Sequence, residues 1–403
     1  MLLLIAWRNL WRHRARSLAI IFSVVLGIWA GAFLVALYYG MGRDRMRIAI
    51  REEVSHVQVH HPGFADDQDA AFHFSVDSLA VAVKEMPDLR AYSCRCVAQA
   101  MLANASGSNG VVLYGVDPEA ENATRGLREM VVQGGYLTNE KSHQLMVGLK
   151  LARKMKLNAG AKVVLTFLDA QQNIVSAAFR ITGIFESSNA MLDERNVYVR
   201  YDELSTLMGI EGRAHEVALL LTTDAAVPAT VEALQQKLPQ LLIEDWKAIS
   251  PETAYIISAV GGSSRIILII IFLALGFGIV NTMLMAVLER TREIGMLMAV
   301  GMGKGRVFAM VLLETLLLTL AGTPIGVGLS LISVSSLSKT GIDLSQVAGN
   351  MMKGFGLEAV LYPWLPVQQL GEIIVIVIIT ALIAAIFPAW KALTLKPAEA
   401  IRR

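Results

Sequence analysis

Residues 286–304 read AVLERTREIGMLMAVGMGK and form a short charged segment between two long apolar runs. Glu289, Arg290, Arg292 and Glu293 place four charges within five positions. An amphipathic stretch and two glycines follow them. Because about 20 apolar residues cross a bilayer, this pattern predicts a short loop that joins two membrane-spanning helices.

The chain as a whole has the composition of a membrane protein. Of its 403 residues, 54% are hydrophobic and 17% are charged, and the mean hydropathy is +0.51. Soluble domains average about 25% charged residues. The net charge of +2 gives no indication of a nucleic-acid partner.

Four apolar runs are long enough to span a bilayer, at residues 17–39, 266–288, 307–337 and 373–390. The third run contains one charged residue, Glu314. The stretch over 41–263 is too long and too charged to lie in lipid. We therefore expect one span, a large domain outside the membrane, and three further spans.

The basic residues near the span ends predict the orientation of the chain, because lysine and arginine collect on the cytoplasmic side. They cluster before the first run, between the second and third, and after the fourth: Arg8, Arg12, Arg14, Arg16, Arg290, Arg292, Lys304, Arg306, Lys391, Lys396, Arg402 and Arg403. Both termini are then cytoplasmic. The expected fold class is an α-helical membrane protein with four transmembrane helices plus a large α+β periplasmic domain between helices 1 and 2.

The predicted division of the chain has nine parts. They are an interfacial amphipathic helix at 1–16, the first span at 17–40, the outer α+β domain at 41–263, the second span at 264–288, a cytoplasmic loop at 289–306, the third span at 307–337, a periplasmic connection at 338–371, the fourth span at 372–390, and a cytoplasmic tail at 391–403.

Within the outer domain, period-2 apolar patterns predict strands and period-3.6 patterns predict helices. Strands at 89–103 and 111–116 flank a turn at 104–110, and strands at 162–168 and 174–185 form a hairpin. Helices are predicted at 201–208 and 227–237. The domain could form one body or two lobes.

Neither a metal site nor a catalytic site is predicted. On a strand, His56 and His60 would lie about 13 Å apart, too far to share a zinc ion with ligand bonds of about 2 Å. These histidines are expected to be solvated. The sequence has no Gly-x-Ser-x-Gly and no His-Glu-x-x-His motif, and Met298 stands where the first glycine of a phosphate-binding loop would be. We therefore expect no cofactor-binding or catalytic residue and no ATP hydrolysis by this chain.

Several residues inside the spans are candidates for helix packing. Ser23, Gly27 and Gly31 form a small-residue ridge, which fits either packing within this chain or contact with a second subunit. Asn281 is predicted to form an interhelical hydrogen bond. Glu314 is interpreted as a carboxylate satisfied by nearby cationic or polar groups, since a proton relay would need further acids in the spans.

The charged segment and its surroundings resemble a known family. Residues 280–295, VNTMLMAVLERTREIG, and then Ala299, Val300 and Gly301, are similar to the FtsX/MacB-type (type VII) ABC transporter permease signature. So are 387–392, FPAWKA, and 396–402, KPAEAIR. Val147 and Gly148, together with 151–152, 179–185 and 196–204, resemble the LolC/LolE lipoprotein-releasing branch.

The resemblance implies a permease subunit of the inner (cytoplasmic) membrane of bacteria. Two copies of a separate ATPase would bind ATP and Mg²⁺, and would act on the loop between the second and third spans, with Glu289, Arg290, Arg292, Glu293, Ile294, Leu297 and Val300 as the coupling residues. The partner permease would be identical or LolC/LolE-like. The implied cargo is a lipoprotein that is lifted from the membrane lipids and passed to a periplasmic chaperone.

One departure from the branch concerns chaperone capture. LolC-type subunits hold their chaperone with an extended, proline-containing hairpin, whereas the corresponding hairpin of this chain, at 168–176, is short and has no proline. The alternatives are a MacB-like efflux or mechanotransmission permease, for which an ATPase fused to the same chain is expected, and an FtsX-like regulator of periplasmic cell-wall hydrolases.

Overall fold

The computed structural model describes residues 14–64, 68–84, 86–346, 349, 352 and 357–394. The predicted amphipathic helix at 1–16 lies outside this part up to residue 13, and the predicted tail lies outside it from residue 395. The described chain forms two compact units. One, the membrane unit, contains the residues up to Gly42 together with Ser258–Asp343 and the residues from Val360 onward; the other, the outer domain, contains Arg43–Ile257 and Leu344–Ala359.

The helices are numbered in chain order. They are α1 (Arg14–Ile48), α2 (Val76–Lys84), α3 (Pro118–Arg125), α4 (Leu149–Lys154), α5 (Leu192–Arg195), α6 (Tyr201–Met208), α7 (Val227–Lys237), α8 (Trp246–Ile249), α9 (Pro251–Glu289), α10 (Thr291–Ala299), α11 (Lys304–Thr340) and α12 (Val367–Leu393). A π-helical segment, Ala49–Val54, continues α1.

The strands follow the same order. They are β1 (Val57–His60), β2 (Phe74–Ser75), β3 (Leu89–Asn104), β4 (Gly107–Val116), β5 (Val131–Gly134), β6 (Gln144–Gly148), β7 (Lys162–Leu168), β8 (Ile174–Phe185), β9 (Asn196–Arg200), β10 (Arg213–Ala214), β11 (Glu216–Leu221), β12 (Leu242–Asp245), β13 (Ile342–Asp343) and β14 (Val360–Leu361).

Four helices of the described chain, α1, α9, α11 and α12, are long and apolar enough to cross a membrane. The sheet-containing domain lies between the first and the second of them in sequence. The predicted fold class, four transmembrane helices with an α+β domain between helices 1 and 2, is confirmed.

Small residues bring the membrane helices close together. A Cβ atom on Gly27 of α1 would lie 2.9 Å from Leu275 Cδ2 of α9. On α11, a Cβ atom on Gly326 would lie 2.9 Å from the Cβ atom of Ile28. Without side chains at these positions, α1 packs closely against both α9 and α11.

One lobe of the outer domain is a four-stranded antiparallel sheet in the order β12-β1-β11-β3. Helix α2 connects β1 to β3 along the chain, and α7 connects β11 to β12. This β-α-β-β-α-β arrangement is the ferredoxin-like one. Its core contains Val59, Leu79, Leu219 and Leu234, all buried.

The other lobe is a ring of strands. Strand β3 pairs with β4, and the pairing continues through β9, β6, β8 and β7 back to β3. Side chains of alternate strand residues, including Leu102, Leu113, Leu165 and Phe179, fill the interior and are at most 1% exposed. A closed sheet of this kind satisfies its backbone hydrogen bonds around the whole ring.

Strand β3 belongs to both lobes because it is 16 residues long. Its first half pairs with β11, from Leu89 to Arg95, and its second half pairs with β7, from Ala100 to Ala103. The two lobes are therefore joined by one continuous strand.

Candidate functional site

The charged segment that joins the second and third membrane helices folds as helix α10. Arg290 separates it from α9 and has φ −97° and ψ 18°, which are not α-helical values. At the other end, Gly301 has φ +102°, a conformation that favours glycine. The amide of Met302 donates to the carbonyl of Leu297 at 2.9 Å, so the chain reverses tightly before α11 begins.

Helix α10 has one buried and one exposed face. Ile294 is 3% exposed and belongs to the core of the membrane unit. Val300, just past the helix end, is 90% exposed, Met296 is 54% exposed, and Arg292 is also exposed. The exposed face thus combines apolar and charged groups, as protein interaction surfaces do.

Arg290 and Glu314 form a buried ion pair. The Nη1 atom of Arg290 donates to both carboxylate oxygens of Glu314, at 3.0 and 3.3 Å. Each residue is 8% exposed. Glu314 lies about 15 Å along the axis of α11 from its first residue, from the helical rise per residue. The pair therefore connects the start of α10 to the interior of the bundle.

A second ion pair lies one residue earlier. Glu289, the last residue of α9, contacts the guanidinium group of Arg16 near the start of α1. Arg16, Glu289, Arg290 and Glu314 thus form two oppositely charged pairs, which link the end of α9 to the start of α1 and the start of α10 to the interior of α11.

A cavity of about 330 Å³ lies beside α10. Apolar side chains of α9, α10 and α11 line most of it, among them Met283, Leu297 and Met310. Arg290, Glu293 and Glu314 supply its polar wall. The buried ion pair thus borders an apolar space.

The predicted coupling residues differ in how far a partner protein could reach them. Glu289, Arg292 and Val300 are exposed, and Glu293 and Leu297 are half-buried. Arg290 and Ile294 are buried, so a partner cannot contact their side chains in this conformation. The coupling role of the whole set stays a prediction.

Sequence reasoning missed the partners in this site. It expected Glu314 to be satisfied by a nearby cation, and that cation is Arg290. Arg16 was used only to predict the orientation of the chain in the membrane, and its pairing with Glu289 was not predicted. A lone acid within a span, with an arginine at a neighbouring span end, is the sequence signal that could have suggested the pairing.

The predicted packing residues have different surroundings. Gly27 and Gly31 lie against Leu275 and Leu268 of α9, which corresponds to packing within this chain. Ser23 donates to the carbonyl of Ala19 in its own helix. Asn281 is exposed on α9, and its role in helix contacts stays a prediction.

The expectation that the histidines of the first strand are solvated is wrong for His56 and His60, which are 6% exposed. His60 ends β1 and His56 directly precedes it, and β1 is an interior strand that pairs with β11 on one side and β12 on the other. His56 contacts Asp224 at 3.0 Å, yet burial lowers the pKa of its imidazole. Among the described residues, no group of three or more potential ligands could hold a metal ion.

The two cysteines, Cys94 and Cys96 on β3, are free thiols. Burial raises the pKa of the Cys94 thiol to about 11 and that of Cys96 still further. Both therefore remain protonated near neutral pH, which makes them poor nucleophiles.

Two family descriptions match the chain. The MacB-like periplasmic core domain matches residues 17–237, more than half of the chain, and the FtsX-like permease C-terminal domain matches residues 265–397. The second match includes α10 and the Arg290–Glu314 pair.

Curated relatives extend this similarity over nearly the whole chain. The macrolide export ATP-binding/permease protein MacB of Shewanella sp. is 23% identical over 97% of this chain and 58% of its own length. The lipoprotein-releasing system transmembrane protein LolC of Xylella fastidiosa is 22% identical over 96% of this chain and 93% of its own length. The pyoverdine export ATP-binding/permease protein PvdT of Pseudomonas putida is 24% identical over 98% of this chain and 58% of its own length. The chain thus spans less than two thirds of the MacB and PvdT relatives.

The four membrane helices, the domain between the first two, and these matches define a multi-pass permease component of an ABC transporter. The chain belongs to the FtsX/MacB-type (type VII) permease family, with a MacB-like periplasmic core domain and an FtsX-like C-terminal domain.

Proposed function

We propose that this permease lifts lipoproteins out of the bacterial inner membrane and releases them toward a periplasmic carrier. The observation that carries the proposal is the match to a lipoprotein-releasing transmembrane protein along 93% of that protein's length. In this proposal both termini of the permease face the cytoplasm. The exposed basic residues Arg292 and Lys304, between α9 and α11, support this orientation because lysine and arginine collect in cytoplasmic loops.

Two copies of a separate ATPase bind ATP and Mg²⁺ and dock on α10, while this chain has no catalytic role. The exposed surface supports this step, because Arg292 and the half-buried Glu293 carry opposite charges beside the apolar Leu297 and Val300. Mixed charges of this kind orient a protein partner. A second permease subunit, identical or LolC/LolE-like, completes the transporter.

Release to a carrier does not use an extended hairpin in this proposal. Strands β7 and β8 are joined by five residues, and Asp169 Oδ1 accepts from the amides of Gln171 and Asn173 at 2.9 and 2.8 Å. These hydrogen bonds hold a tight turn. A carrier would have to contact another part of the outer domain.

This compact hairpin also favours a second candidate, a MacB-like export permease for a different cargo. Relatives named for macrolide and pyoverdine export match the chain at 23% and 24% identity, similar to the lipoprotein-releasing relative. In that case the cargo would be a small molecule rather than a lipid-anchored protein.

Reconstitution of the full chain tests the proposal. The permease, its partner permease where the two differ, and the ATPase are placed in nanodiscs that contain a triacylated lipoprotein. The soluble fraction is assayed for lipoprotein in the presence of a periplasmic carrier. We expect release with ATP and none with a non-hydrolysable analogue. Release that is independent of ATP would contradict it, and so would a permease that releases no lipoprotein in nanodiscs but exports a macrolide with ATP in sealed proteoliposomes.

A further inference from the structure

We infer that the Arg290–Glu314 ion pair makes helix α10 move together with α11, so that a force applied to α10 reaches the third membrane helix first. This inference rests on the proposed function, in which an ATPase acts on α10. It assigns to Arg290 and Glu314 a positioning role inside the bundle and goes beyond docking at its surface.

Chain connectivity alone would favour the opposite assignment. Only Arg290 separates α10 from α9, whereas four residues, 300–303, separate α10 from α11. The side chain of Arg290, however, contacts α11, because its Nη1 atom lies 3.0 Å from Oε1 of Glu314. Ile294, one turn further along α10, lies in a buried core that includes Val307 and Val311 of α11 as well as residues of α9, so the ion pair is the contact that favours α11.

The last residue of α9 is held elsewhere. Glu289 pairs with Arg16 of α1, while the next residue, Arg290, pairs with α11. Two consecutive residues are thus tied to different helices, and the helical backbone breaks between them, at Arg290. The chain therefore leaves the helical conformation at the point where one residue pairs with α1 and the next pairs with α11.

The energetic character of the pair supports a positioning role. Removing two charges from water costs several kcal/mol per ion, and apolar replacements of such pairs are often as stable. A buried pair between an arginine and a carboxylate therefore adds little net stability, but its directional hydrogen bonds fix one relative position of the two helices.

Spin-label distances in the complete transporter test this inference. In a background with Cys94→Ser and Cys96→Ala, one label is placed on α10 at Ala299→Cys. The other is placed on α11 at Leu320→Cys or, at a similar depth, on α9 at Leu273→Cys. All three positions are exposed. On addition of ATP and vanadate, we expect the α10–α9 distance to shift and the α10–α11 distance to stay the same.

The variant Glu314→Gln should introduce a nucleotide-dependent shift in the α10–α11 distance while the ATPase still copurifies. The exchange Arg290→Glu with Glu314→Arg should remove that shift again, and it keeps the test valid should Glu314→Gln fold poorly. Glu372→Gln, which neutralises an exposed carboxylate on α12, should behave as the unmodified chain.

Two results would overturn the inference: an α10 label that keeps its distance to α9 and not to α11 in the unmodified chain, or Glu314→Gln distances identical to those of the unmodified chain. A different result identifies failure of the proposed function. If the unmodified chain binds no ATPase, or shows no nucleotide-dependent change in either distance, α10 is not a coupling element and the inference falls with it.

Discussion

Asp193 shows how strongly the outer domain alters the chemistry of a single residue. The residue is 4% exposed, and its Oδ1 atom accepts from the amide of Ser187 at 2.9 Å. Burial raises the pKa of its carboxyl to about 6, although the hydrogen bonds from Ser187 act in the opposite direction. The folded protein therefore holds a proton at this position that the unfolded chain releases near pH 4.

The raised pKa predicts a pH dependence of stability. Because the folded state binds this proton more tightly, its stabilising contribution is complete below about pH 4 and is lost as the pH rises through 6. Asp193→Asn keeps an acceptor for Ser187 and removes the titration. We expect the thermal midpoint of the variant to fall less between pH 5 and pH 7.5 than that of the unmodified chain, as measured by thermal unfolding in detergent.

Glu194 provides the matched control for this measurement. It lies next to Asp193, but hydrogen bonds from Lys150 and Lys154 lower the pKa of its carboxyl to about 2. Its titration therefore lies below this pH range, and Glu194→Gln should leave the dependence between pH 5 and pH 7.5 unchanged. An equal dependence in Asp193→Asn and the unmodified chain would show that Asp193 does not titrate as described.

Some residues were noted in the sequence although their structural roles could not be predicted from it. Gly148 was recognised as part of a motif, but the reason for a glycine there is spatial. A Cβ atom at this position would overlap the backbone of Asp193 on α5. Likewise, the acid at Glu314 was visible in the sequence, while its partner Arg290 was not, because the pairing depends on how two helices pack.

At the scale of elements, helix α3 is anchored to the outer-domain sheet by buried charges. Glu121 accepts two hydrogen bonds from Arg95 of β3, at 2.9 and 3.0 Å. Arg95 also pairs with Glu216 of β11, and Arg125 pairs with Glu121. Burial alone would raise the pKa of the Glu121 carboxyl, but Arg95 and Arg125 hold it below its usual value. The network therefore stays ionised near neutral pH.

Removal of one charged side chain from this network should strongly lower the free energy of unfolding. Glu121→Ala leaves two arginines buried without their shared carboxylate, and we expect a loss of about 3–5 kcal/mol in the free energy of unfolding. Denaturant titration of the full chain in detergent measures it. Glu119→Ala, on the exposed side of α3, should cost at most about 1 kcal/mol. Equal costs for the two variants would contradict the anchoring role.

The elements themselves were predicted well where the pattern is local. The hairpin strands at 162–168 and 174–185 and the helices at 201–208 and 227–237 coincide with β7, β8, α6 and α7. The turn expected at 104–110 is shorter, because β4 begins at Gly107 and pairs with Asn104. Helix α3 was not predicted, because its sequence, PEAENATR, is short and has a weak apolar stripe.

The order of the strands could not be predicted from these patterns. The ring closes through the parallel pair of β4 with β9 and the parallel pair of β6 with β8. Such contacts join segments far apart in sequence, and a local hydrophobic pattern does not specify which strands become neighbours. The same limit explains why the charged segment was identified while its buried anchors were not.

At the scale of the whole molecule, the proposed transporter depends on the exposed face of α10. Arg292→Glu reverses a charge on this face without disturbing the buried pair. We expect ATPase binding to weaken about tenfold, which corresponds to about 1.4 kcal/mol, because a reversed charge opposes a complementary surface. The measurement is the affinity of the ATPase for the permease in nanodiscs at low salt.

Lys391→Glu is the control for this prediction. It reverses an exposed charge in the last turn of α12, on the same predicted side of the membrane. ATPase affinity should change less in this variant than in Arg292→Glu. If the two reversals weaken binding equally, the effect reflects the overall surface charge and α10 is not a specific docking site.

The edges of the outer-domain sheet also affect how the protein tolerates crowding. Within the described chain, the ten-stranded sheet ends at β12 and β5, each only four residues long. Strand β12 ends in the acidic pair Glu244 and Asp245. Short and charged edges are poor templates for pairing between chains. Many copies held side by side on a membrane surface therefore have little opportunity to aggregate by joining their sheets.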